Sequence, residues 1–185
     1  MRGLRSRAGS GARSETIMVA DTIRLMLFPA MMAFAASSDL LTMTISNRIS
    51  LILAAGFFIL AMTNGMGAME TLMHVAAAAT VLVMAFICFA RGWVGGGDAK
   101  LAAASALWFG FDHLLDYLIY ASLFGGALTF LLLFFRMMPI PRLLTGQQWA
   151  ERLHEKDCGV PYGIALAAAA LCVYPDTSFI KSIGM

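Results

Sequence analysis

Residues Arg91–Ser105 read RGWVGGGDAKLAAAS, and their surroundings decide what kind of chain this is. Upstream, Leu72–Ala90 is apolar and carries no formal charge; downstream, apolar residues resume almost at once and continue to Phe135. Three glycines followed by Asp98 therefore form a turn between two lipid-soluble runs. The acid stands at the mouth of a helix that belongs in a membrane.

Composition supports that reading. Hydrophobic residues make up 60% of the chain and charged residues only 13%, about half the share found in soluble domains. Mean hydropathy is strongly positive. The protein reads as an integral membrane protein in contact with the lipid bilayer, with no segment long enough for a separate soluble domain. Its net charge of +2 is scattered, so no basic face exists for nucleic acid. Cys88, Cys158 and Cys172 are far apart and form no CxxC. They read as small hydrophobes rather than as a disulfide framework or a metal site, and nothing in the sequence calls for a cofactor.

Apolar runs predict an all-α bundle of about six transmembrane helices, roughly Ile23–Ile45, Ile49–Met62, Leu72–Ala90, Asp98–Phe111, Leu114–Phe135 and Val160–Tyr174. A full crossing takes about 20 residues. The second, fourth and sixth fall short, which suggests helix ends sunk around a wet cavity. The Trp and Phe residues near span ends fit interfacial anchoring. Residues 1–22 read as a flexible basic tail that the mature chain can lack, with a start near Met18; 23–174 as the membrane domain; and 175–185 as a C-terminal tail.

Lysine and arginine orient the bundle. Segments after the first, third and fifth helices hold Arg48, Arg91, Lys100, Arg136, Arg142, Arg152 and Lys156, against Lys181 alone on the other side. By the positive-inside rule the first set is cytoplasmic. The arginines of the N-terminal tail oppose this unless the chain starts late, and an inverted topology remains the alternative. In either case Asp39 and Asp98 share one side.

An ionisable group within a membrane costs roughly 2.5–3.5 kcal/mol on insertion scales. Asp39 is the only charge between Leu25 and Asn47. Its ordinary reading is an interfacial acid, and that of Asp98 is a helix N-cap. A cap does not need GGGD, however. Gly95, Gly96 and Gly97 leave backbone groups open to an extended peptide. Two carboxylates brought together can share a proton, one acting on water as base and the other as acid. Amide hydrolysis by such a pair needs no metal. Asp112, His113 and Asp116 read as a solvated turn, His74 as structural, and ERLHEKD (151–157) as an exposed segment.

With GGGDAK and the upstream acid in view, the chain resembles the type IV prepilin peptidases of the GxGD class of intramembrane aspartyl proteases, in particular the short CpaA-like members of Flp/Tad pilus assembly. Gly95, Gly97, Asp98 and Lys100 match GxGDxK. Asp39 followed by Ile45-Ser46-Asn47 is similar to the family's first acid and its Ile-Pro-Asn, with serine where proline is usual, which predicts a looser turn. Pro161-Tyr162-Gly163 resembles the Pro-aromatic-Gly signature. The resemblance implies Asp39 and Asp98 as the catalytic pair and Gly95–Gly97 with Lys100 as the substrate loop. Asn47, Pro161, Tyr162 and Gly163 would support them. It further implies cleavage of leader peptides from prepilins or pseudopilins at the cytoplasmic face of a bacterial inner membrane, beside other pilus assembly proteins. The paired CxxC domain of methylating members is absent, which argues against N-methylation. Two rivals stand: an ion-coupled transporter using the acids as carriers, and a non-catalytic scaffold of a pilus or secretion assembly.

Overall fold

The computed structural model describes residues 22, 25–140, 146–155 and 158–181, and every structural statement below concerns these. The basic tail expected over 1–22 lies outside them, apart from Thr22. The fold is all-helical, with no strand among the described residues. Three helices are long and apolar enough to cross a membrane.

Helix α1, Leu25–Thr42, is the first of these. It ends on Met43, a non-glycine residue with φ 54° whose N–H donates to the carbonyl of Asp39 at 2.8 Å. This is the single-bond left-handed cap that closes many helices. Helix α2, Asn47–Thr63, opens at Ser46, whose hydroxyl accepts the N–H of Arg48. Ser46 has φ −65°, the value a proline ring would impose. The turn therefore keeps a proline-like shape and gains a side-chain cap, instead of the looser turn expected from the missing proline.

Helix α3, Ala68–Ala90, leads into the glycine turn, and α4 runs from Gly96 to Met137. Forty-two residues of straight helix would measure about 63 Å, twice the roughly 30 Å hydrocarbon core. The helix is broken at Gly110, where φ 59° and ψ −168° are not helical. Asp98 and Thr129 nevertheless line the same cavity of about 790 Å³. On a straight helix they would stand about 46 Å apart, so α4 is two arms folded back at Gly110, the fourth and fifth helices of the sequence reading. His74 of α3 makes the break tolerable. Its Nδ1 lies 2.8 Å from the carbonyl of Leu107, one of the last carbonyls before the break and so one that the first arm leaves open.

The remaining elements are α5, Gln148–His154, then α6, Tyr162–Val173, a 3-10 turn over Tyr174–Asp176, and α7, Ser178–Lys181. Two readings change here. The segment expected to be exposed contributes α5, which buries Ala150 and Leu153. The stretch assigned to a C-terminal tail folds back instead, with Thr177 and Phe179 each 1% exposed.

The core is aromatic. Phe28 lies against Trp108, Phe109 and Tyr174, and Phe57 against Trp108 and Phe179. Trp108, expected as an interfacial anchor, is 1% exposed and donates from Nε1 to the carbonyl of Leu53 at 3.0 Å. A buried indole needs that partner. Trp93, by contrast, is exposed, with Arg91 over its ring.

Candidate active site

Asp39 sits one turn before the end of α1, and Asp98 stands in the first turn of α4. Fifty-nine residues separate them in sequence, yet both line the cavity of about 790 Å³ and a smaller one of about 300 Å³ beside it. Asp39 is 5% exposed and Asp98 is half-buried.

Each carboxyl is held by the backbone. Oδ2 of Asp39 accepts the N–H of Gly163 at 2.7 Å, across 124 residues of chain. That bond requires glycine: a Cβ at position 163 would stand 2.8 Å from the same oxygen and 2.7 Å from Cδ1 of Ile45. The Asp98 carboxyl lies back against the Gly95 backbone. The helix cap is Gly95 itself, so Asp98 is the third helical residue, in the reciprocal capping position, and not the N-cap of its ordinary reading.

The three glycines consequently differ. A Cβ at Gly95 would lie 2.9 Å from Oδ2 of Asp98, and one at Gly97 3.1 Å from Cβ of Ile45. At Gly96 it would only touch the ring of Phe89 at 3.4 Å. The steric demand falls on the first and third glycines. The glycine stretch Gly95–Gly97 is partly helical. Gly96 and Gly97 already belong to α4, so the helix takes up their carbonyls and leaves their N–H groups free of intrahelical partners. All three glycines line the smaller cavity that holds both acids, and the turn Gly92–Gly95 lines the larger one.

Ile45 is the common neighbour, in contact with both Gly97 and Gly163. Asn47, two residues on, accepts a hydrogen bond from Nζ of Lys100 at 2.8 Å. That pair lines a separate, largely apolar groove of about 580 Å³ between α2, α3 and the first arm of α4. Lys100 thus braces α2 against α4 and does not line the acids' cavity. Pro161 caps α6, and Tyr162 faces the cavity with its ring against Gly125, where a Cβ would come within 2.5 Å.

A sequence model of the type IV leader peptidase family matches residues 26–130. The chain belongs to that family. The leader-peptidase match takes in more than half of the chain and both acids, and ends before Pro161. No curated protein and no solved structure matches. The geometry brings beside the acids further residues to which the sequence reading gave no part in the site. Thr129 and Cys158 line the cavity, as does Met43, whose unusual φ no pattern announces. Arg136 and Arg152 had only been counted as loop charges. Asp112, His113 and Asp116 lie away from the acids. His113 stands 4.0 Å from Asp116, and no group suited to a metal ion occurs among the described residues.

Proposed function

We propose that this protein is an aspartic endopeptidase that removes the leader peptide from type IV prepilins, or from Flp-type pilins and pseudopilins, without methylating the product. The bundle crosses a bacterial inner membrane about six times, and the acids' cavity opens toward the cytoplasm. One observation carries the reading. Two acids that are costly to keep in an apolar chain, 59 residues apart, line one cavity at the ends of their helices. Membership in a leader-peptidase family supplies the reaction class.

In this mechanism one carboxylate removes a proton from water, and the hydroxide so formed adds to the scissile carbonyl. The other carboxyl, protonated, donates to the carbonyl oxygen. Collapse of the tetrahedral species then breaks the C–N bond, with the proton returning to the leaving amine. The Gly163 N–H fixes Asp39, leaving its second oxygen to face the water. Because the two groups share protons, they titrate as a pair.

Transport would need a polar path from the acids to the cavity at the far end of the bundle, lined by Glu70, His74 and Asp112. The aromatic layer of Phe28, Phe57, Trp108 and Tyr174 occupies the core between them and disfavours such a path. The test is co-expression with a Flp-type prepilin, read by gel mobility and N-terminal sequencing. Asp39→Asn and Asp98→Asn should each leave the leader attached while the protein still inserts. Normal leader removal by either variant would defeat the assignment.

A further inference from the structure

We propose that Arg136 is a positioning residue for the acid pair, a clamp that holds the segment aligning Asp39; this inference rests on the function proposed above. Arg136 ends the second arm of α4, the helix that carries Asp98 at its beginning. Its guanidinium donates from Nε to the carbonyl of Leu153 at 2.9 Å, and from Nη2 to those of Cys158 at 2.7 Å and Gly159 at 3.0 Å. Leu153 lies in the last turn of α5, where carbonyls lack helical partners. Cys158 and Gly159 line the acids' cavity, and four residues beyond Gly159 the chain delivers the Gly163 N–H to Asp39.

A single side chain therefore ties the far end of α4 to the segment that orients the opposite acid. The fork of an arginine can satisfy three carbonyls at fixed angles, whereas a lysine is a point donor. A second arginine closes the frame. Arg152 of α5 donates from Nη1 to the carbonyl of Leu41 at 3.1 Å, in the open last turn of α1, two residues beyond Asp39. Both helices that bear the acids are thus fastened to one short segment through backbone carbonyls. None of these bonds uses an acidic partner, so the arginines hold the frame without competing for the carboxylates.

Cys158 is a native reporter for this clamp. With Cys88 and Cys172 replaced by serine, full-length protein in detergent is treated with a maleimide, and prepilin cleavage is followed in parallel. Arg136→Gln should raise the labelling rate of Cys158 on the order of tenfold, the effect of losing one hydrogen bond to a charged group. It should lower kcat by up to roughly a hundredfold, the scale of an ångström-sized misalignment, with KM little changed. Arg136→Lys should recover part of both. A purely structural role would instead lower yield and helix content while leaving kcat per folded molecule intact. Unchanged labelling in Arg136→Gln overturns the clamp, whatever happens to cleavage, and so does faster labelling with kcat unchanged. If the parent protein cleaves no prepilin, the proposed function fails, and labelling alone then judges the clamp.

Discussion

A methyl group at position 163 has nowhere to go. Its closest neighbours would be the Asp39 oxygen at 2.8 Å and the Ile45 methyl at 2.7 Å, both nearer than real side chains come, and one of them is the group being positioned. Gly163→Ala should therefore cut leader cleavage on the order of a hundredfold while membrane insertion persists. Gly96→Ala, which meets only ordinary contact with Phe89, should cleave within about twofold of the parent, as substitutions away from special features usually do. Parallel cleavage assays of the two variants decide the matter, and equal activities would refute the steric argument. At this scale the sequence was informative about acids and poor about their holders. Asp39 and Asp98 stand out because charge in an apolar run is costly. Nothing in the residues around Arg136 or Met43 distinguishes a clamp or a strained cap from an ordinary loop residue, because their roles depend on carbonyls and backbone angles set by distant segments.

Elements show the same division. Hydropathy locates the apolar helices because each must satisfy lipid along its own length. The reversal inside α4 depends on one glycine among 17, and its conformation is legible only once His74 is seen against it. Gly110 sits in a backbone region that is essentially glycine-only, which costs any other residue about 1–3 kcal/mol. A Cβ there would also press on the His74 ring at 3.0 Å. Gly110→Ala should lower the midpoint of thermal unfolding in detergent. His74→Ala should do so as well, since it leaves the buried Leu107 carbonyl unpaired at about 1–3 kcal/mol. The double variant should lose less than the sum, because the alanine at 110 gains space when the imidazole is gone. Strict additivity would show that the two residues are not coupled. Short α5 was missed for a related reason: seven residues hold no stable helix alone, and docking of Ala150 and Leu153 supplies what local propensity lacks.

Across the whole molecule, the acids, Asn47, Lys100, Arg152 and residues 158–163 gather at one end, while the Gly110 break and the α2–α3 turn lie at the other. The first arm of α4 joins these ends with the residues from Gly96 to Phe109, about 21 Å of helix against a hydrocarbon core of about 30 Å. If the arm crosses the bilayer, a shortfall of that size would let water reach down to the first turn of α4, where Asp98 stands. Both exposed flanks of this arm can be addressed by labelling. In a background without Cys88, Cys158 and Cys172, a cysteine at Arg91 should react with a membrane-impermeant maleimide only from the cytoplasmic side, and one at Asp112 only from the opposite side. A fluorophore on a cysteine at Val94, which lines the acids' cavity, should respond to aqueous quenchers and little to lipid-soluble ones. If positions 91 and 112 label from the same side, the arm does not cross and the recessed, water-filled site has no basis. If they label from opposite sides, a helix too short for the bilayer spans it, and the wet cavity that hydrolysis requires follows from its length.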